Sequence, residues 1–225
     1  MGILANAITI SLGGLIGSFF KKFSTDNFTK MCGICLIIIS AVGFLENVFE
    51  IDGISVTSNS LIIIILSLLI GFIVGNSLKL KKKQLMPNTK TSAFLHSTLF
   101  FSIGGLQITG SILLALEGDN SMLYLKSLID LPFAIILGSS LGKTVSLSAI
   151  PVAIIQVLIF LLSKLIGNYI TSENVKELCA VSYVILFFSG YNLIVDEKLQ
   201  FSSVKLLPSI LIIIIFGIIK NLIKG

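Results

Sequence analysis

Lys126 and Asp130 stand four residues apart in the otherwise apolar stretch SMLYLKSLIDLPF, so a helix would place both on one face. An ammonium and a carboxylate held together away from water suit cation or proton handling, because neither charge is tolerated alone at low dielectric. Pro132 follows at once and denies the local backbone a helical hydrogen bond, and Gly138, Ser139, Ser140 and Gly142 form a flexible, polar exit. The same residues also read as a charge pair in the lipid headgroup zone, with Pro132 in the first turn of a helix capped by Asp130.

A second candidate lies just upstream. Gly104, Gly105, Gln107, Thr109 and Gly110 fall within seven residues, the composition of an interrupted helix whose Gln107 and Thr109 offer side-chain ligands. Close helix packing through small residues would use the same glycines. Asn6, Gln156 and Asn192 are single amides inside apolar segments, and an amide in lipid must find a partner or a polar cavity. They therefore serve either as hydrogen bonds between helices or as lining for a solute.

Other polar residues promise less. His96 is the only histidine, and no residues are spaced to join it in a metal site. Cys32 and Cys35 spell C-G-I-C, yet they begin a hydrophobic helix and lack the strand-to-helix context of a redox dithiol. Glu46 falls in the last turn of an apolar segment, where an interfacial position suffices. No Gly-rich phosphate loop, nucleophile–base pair or metal cluster is visible, so neither an enzyme nor a cofactor is implied.

The elements that must position these residues are membrane helices. Of the 225 residues, 55% are hydrophobic and 12% charged, and the mean hydropathy is +1.04. Stretches such as 61–75 (LIIIILSLLIGFIVG) have no polar face, as expected where lipid is the solvent on every side. Apolar segments fall near residues 3–20, 31–49, 60–78, 94–116, 123–141, 145–167, 177–195 and 206–222. The expected fold is an all-α bundle of seven or eight transmembrane helices in a single domain, 1–225. The first segment lacks a basic leader and a cleavage site and reads as a retained helix.

The net charge of +5 comes from lysine alone, in juxtamembrane positions, which speaks of topology and lipid contact and not of nucleic acid. Lysines in loops 21–30 and 79–93 predict that both are cytoplasmic and that the N-terminus is outside. The fifth segment looks irregular: only twelve residues separate Asp130 from Lys143, about 18 Å of helix against a hydrocarbon core of about 30 Å. Either Asp130 is submerged or the segment is re-entrant.

Sliding the chain by 147 positions lays Thr25-Asp26-Asn27 over Ser172-Glu173-Asn174, Cys32-Gly33 over Cys179-Ala180, and Gly43-Phe44 over Gly190-Tyr191. This predicts two three-helix repeats, about 1–78 and 144–225, joined by the basic loop 79–93 and a central pair, 94–143. If both central segments cross, the repeats are inverted; if the fifth is re-entrant, they are parallel. Glycine pairs four apart at Gly13/Gly17, Gly71/Gly75 and Gly138/Gly142 predict close helix crossings, within the chain or in a homo-oligomer.

Leu4-Ala5-Asn6, Gly13-Gly14, Gly17, FFSIGGLQITGSILLALEGD at 100–119, KSLID at 126–130, Pro151 with Gln156, SGYNLI at 189–194 and Leu207-Pro208 together resemble the YqgA/YdfK-like family of bacterial inner-membrane proteins, a domain of unknown function. The resemblance runs nearly end to end. It implies a bacterial plasma membrane and supplies no substrate. Two positions depart from the family pattern: Gly105 stands where the family usually has Pro, and Asn76 where an acidic residue is common. The functional expectation is a secondary transporter or facilitator of a small ion or solute, with Asp130 as carrier, Lys126 as counter-ion and Gln107, Thr109, Gln156, Asn6 and Asn192 as lining. Gly104, Gly105, Pro132, Gly138 and Gly142 would break the helices around it. A membrane scaffold or an oligomeric channel is the alternative.

Overall fold

A computed structural model describes residues 1–20, 26–52, 55–57, 60–78, 90–102, 105–167 and 170–224. In chain order the helices are α1 (Gly2–Phe19), α2 (Asp26–Val48), α3 (Leu61–Ser77), α4 (Lys90–Ser102), α5 (Gly105–Leu116), α6 (Ser121–Leu141), α7 (Thr144–Leu147), α8 (Ala149–Ile166), α9 (Ser172–Ile194) and α10 (Pro208–Lys224). Between α2 and α3 lies a small antiparallel hairpin, β1 (Glu50–Asp52) and β2 (Ser55–Thr57). Among the described residues six stretches combine the length and apolarity needed to cross a bilayer, and the bent pair α4–α5 makes a seventh if it is one span. The apolar α3 has 17 residues, about 25 Å of helix.

Burial follows the logic of a lipid solvent. Ile62, Leu128 and Leu165 are 75%, 67% and 77% exposed, whereas Asn6, Gln107, Thr109 and Gln156 are fully buried. Outward aliphatic side chains cost nothing in hydrocarbon, and buried amides find partners there that lipid cannot provide.

The irregularity falls in the fourth segment, not the fifth. α4 and α5 meet at a bend of 57° between Ser102 and Gly105. Gly104 lies outside the described residues, and Gly105 opens α5. α6, by contrast, runs unbroken from Ser121 to Leu141. The breaks expected at Pro132 and Gly138 are absent, because a proline inside a helix removes a single N–H bond while the turns on either side keep theirs. The helix stops at Gly142, whose φ of 78° suits a residue without Cβ. With 21 residues, α6 is about 31 Å long, enough to cross. Asp130 thus lies midway along a continuous helix long enough to span, not at the edge of a broken one.

The chain, read above as one domain, divides into two compact units, residues 1–29 with 83–165 and residues 30–82 with 166–225. The first unit holds α1 and α4 to α8. Its spine is the pair α1 and α6, which run in the same direction: Gly2 meets Leu123, Gly13 meets Ala134, and Gly14 meets Gly138. A Cβ at Gly17 would overlap the carbonyl oxygen of Ile135, so the glycines permit an approach of backbone to backbone. The entry of α1 is held by Gly2 N–H donating to Asn120 Oδ1 at 2.7 Å. Phe100 of α4 packs on Phe133 of α6 at 5.6 Å between ring centroids.

The second unit holds α2, the hairpin, α3, α9 and α10. Here neighbours run oppositely. On α2 and α9, Gly33 meets Gly190 while Gly43 lies against the Tyr183 ring. On α3, Gly71 lies against Ser209 at the start of α10, and Gly75 against Lys205 just before it. The Lys205 ammonium also donates to Asn76 Oδ1 at 2.8 Å.

Candidate functional site

Four helices of the first unit bring their polar side chains together. On α6, Lys126 Nζ donates to Asp130 Oδ2 at 2.6 Å, one helical turn away, and both residues are only 5% exposed. On α1, Asn6 Nδ2 donates to the same Oδ2 at 2.7 Å. On α8, Gln156 Nε2 donates to Asn6 Oδ1 at 3.2 Å and to Gln107 Oε1 of α5 at 3.4 Å. Gln107 Nε2 then donates to the Val152 carbonyl at 3.4 Å.

The local sequence explains why each group arrives. The glycine face of α1 fixes its register on α6, which sets Asn6 opposite Asp130. Gln107 lies in the first turn of α5, immediately past the bend, so it projects from a helix start into the unit. The 2.6 Å ion pair is short because both partners are charged and water is excluded. Burying it carries a desolvation cost that hydrogen bonds such as the one from Asn6 partly offset.

The orientation of every amide in the chain is forced. A carboxylate only accepts, so Asn6 must present Nδ2 to Asp130 and therefore Oδ1 to Gln156. At the far end the Val152 carbonyl only accepts, so Gln107 presents Nε2 there and Oε1 to Gln156. Gln156 is left to donate in both directions. Its Oε1 is buried and has no hydrogen-bond partner among the described residues. The hydroxyls of Thr98 and Ser102, in the last turns of α4 before the bend, are buried and unpartnered in the same sense.

Of the residues singled out from the sequence, the structure brings Asp130, Lys126, Asn6, Gln107 and Gln156 into one network. Thr109 is fully buried on α5. Asn192 does not belong to it: its Nδ2 donates to the Phe201 carbonyl at 2.6 Å, and its Oδ1 accepts from Phe201 N–H at 2.8 Å. That two-pronged bond closes the loop between α9 and α10, so the amide is spent on the backbone and not on a solute. Glu46 is exposed, and Cys32, Cys35 and Cys179 form no disulfide. Among the described residues no group of three or more His, Cys, Asp and Glu could hold a metal ion.

A second polar cluster escaped the sequence reading. In the second unit, Lys220 of α10 donates to Glu173 at 2.7 Å and to Glu177 at 3.3 Å, and Glu177 is 1% exposed. Asn174 Nδ2 also reaches Glu177 at 3.4 Å, while Asn174 closes a capping box with Thr171. The available signal was Glu173 and Glu177 at i, i+4 in the first turns of α9. Acidic residues near a helix N-terminus look like ordinary dipole partners in sequence, which hid the burial.

The comparisons with known proteins agree on kinship and leave activity open. The family model described as a protein of unknown function, DUF554, matches residues 1–218. An uncharacterised membrane protein of Bacillus subtilis (strain 168), YdfK, is 28% identical, with 96% of each chain covered. An uncharacterised protein of Escherichia coli (strain K12), YqgA, is 25% identical, with 94% of each covered. No solved structure matches. With its helices long and apolar enough to span a bilayer, this is a membrane protein, and the chain belongs to the DUF554 family.

Proposed function

We propose that this protein is a secondary transporter or facilitator of a small ion or solute in the bacterial plasma membrane, with its load handled at Asp130. The observation that carries this reading is the buried Lys126–Asp130 pair joined to amides from three further helices. Intramembrane charge is expensive, and a pair set in a spanning helix points to a pathway more than to an anchor.

The helix order supports it. Adding 147 to the bounds of α1, α2 and α3 gives 149–166, 173–195 and 208–224, against α8 at 149–166, α9 at 172–194 and α10 at 208–224. The corresponding helices of the second unit, α2 with α9 and α3 with α10, run oppositely. Inverted repeats are the architecture of many secondary transporters. α1 and α6 run the same way, which with α2 and α3 as full crossings requires the bent α4–α5 pair to cross as well. The topology we infer is eight spans and inverted repeats, with both termini outside. A reporter fused after Gly225 is expected to show the same sidedness as one before Met1. Opposite sidedness would sink the eight-span topology.

We rank the scaffold reading second, since Gly13, Gly17, Gly71, Gly75 and Gly138 pack within their own units, while Gly142 meets no atom within 4 Å. Transport itself is tested in liposomes. Asp130→Asn is expected to abolish, and Gln107→Ala to reduce by tenfold or more, an ion or solute flux that the unaltered chain supports; a loss of about 1.4 kcal/mol of stabilisation is a factor of ten. If both variants insert correctly and every flux the unaltered chain carries is unchanged, Asp130 is not the site.

A further inference from the structure

We propose that the Asp130 site takes a small monovalent cation of the alkali-metal or ammonium class, which displaces the Lys126 ammonium from the carboxylate and is completed by Gln156 Oε1. The inference rests on the transport reading and narrows it to one sign and one magnitude of charge.

The pair itself is neutral and favours neither sign. A cation could displace Lys126 from Asp130, or an anion could displace Asp130 from Lys126. The amides break this symmetry. Asn6 Nδ2 is bound to Asp130, Gln107 Nε2 to the Val152 carbonyl, and Gln156 Nε2 to two oxygens at once. Beyond Lys126, an anion arriving here would find only the second hydrogens of Asn6 Nδ2 and Gln107 Nε2, since each of these nitrogens already holds one oxygen and Gln156 Nε2 holds two. The network atom left with no partner at all among the described residues is an acceptor: Gln156 Oε1, fully buried, one amide removed from the carboxylate through Asn6. The two hydrogen bonds that Asp130 accepts both fall on Oδ2, so its second oxygen takes no part in them. A carboxylate in one network with a buried carbonyl oxygen that lacks a donor suits a cation.

The charge count sets the valence. Among the described side chains of the first unit Asp130 is the one buried carboxylate, while Glu117 and Asp119 are exposed. A divalent ion would leave one uncompensated positive charge, with Lys126 adding another, in a site shielded from water. Divalent sites ordinarily gather several carboxylates for that reason. A monovalent ion neutralises Asp130 as the lysine did and leaves only the displaced ammonium uncompensated, half the excess of a divalent ion. Lys126 can yield because its ammonium rides on a flexible four-carbon stem one turn from its partner.

The test uses the purified full-length chain in detergent at constant ionic strength, with its thermal midpoint followed in LiCl, NaCl, KCl and NH4Cl against N-methyl-D-glucamine chloride. At least one of the four cations is expected to raise the midpoint saturably. Lys126→Ala, freed of the competing ammonium, is expected to show an apparent affinity about tenfold tighter for that cation. Gln156→Leu is expected to lose the response and Gln156→Glu to keep it, so a folding defect in any one variant leaves the others to decide. The proposal is overturned if no cation acts, if N-methyl-D-glucamine phosphate or sulfate stabilises in their place, or if Lys126→Ala responds no more tightly than the unaltered chain. Asp130-dependent flux without a cation effect would sink this inference alone, whereas the absence of both would sink the transport reading with it.

Discussion

Lys126→Met, measured without alkali cations, is expected to destabilise the folded protein by about 3–5 kcal/mol, whereas the double variant Lys126→Met/Asp130→Leu recovers most of that loss. The asymmetry follows from where the pair sits. Both side chains are 7% exposed, so removing the ammonium leaves a carboxylate with neither water nor counter-charge. Asn6 still donates to Oδ2, but one neutral amide offsets only a fraction of that cost. Removing both charges abolishes the desolvation cost along with the attraction, and apolar side chains of similar volume fit a spanning helix. Chemical or thermal unfolding in detergent reads the stability, and liposome flux reads the function. A protein that folds well but carries nothing is the expected double-variant phenotype. If Lys126→Met were as stable as the unaltered chain, the pair would be solvated and the site misplaced.

The second large effect is steric. Gly17→Val is expected to cost about 3 kcal/mol or more, because the new Cβ would overlap a carbonyl oxygen that belongs to the backbone of α6. A side chain in the way can change rotamer; a helix backbone can only move as a whole. α1 would have to retreat from α6 along its length, and Asn6 would leave Asp130 with it. Flux is therefore expected to fall together with the thermal midpoint. Gly118→Ala is the instructive comparison, since that glycine has φ of 72° and no atom near its missing Cβ. It pays only the left-handed backbone penalty, about 1–2 kcal/mol. Equal effects at the two positions would show that α1 does not approach α6 as closely as described.

Much of the protein is legible in the sequence, for reasons specific to lipid. A bilayer demands uninterrupted apolar runs, and those runs mark α1, α2, α3, α6, α8, α9 and α10 to within a few residues. Lys126 and Asp130 are legible as a pair because a separation of four residues has one consequence in a helix. The amides at 6, 107 and 156 stand out singly, since an amide in hydrocarbon must have a reason.

Their union is another matter. Nothing in the local sequence of Asn6 distinguishes it from Asn192, yet one meets a carboxylate 124 positions away and the other clamps a loop nine positions away. The difference lies in which helix face a close crossing turns toward which neighbour. The bend likewise could not be assigned, because Gly104-Gly105 and Pro132 are both competent breakers, and α6 keeps its course through the proline. Glu177 went unnoticed because burial at a helix end depends on Lys220 arriving from α10. What the sequence by itself determined is a polytopic helical membrane protein with a charge pair one turn apart. Only the tertiary structure decided which amides complete that pair, which segment bends, and in which direction neighbouring helices run, because those are properties of contacts between segments that no single segment encodes.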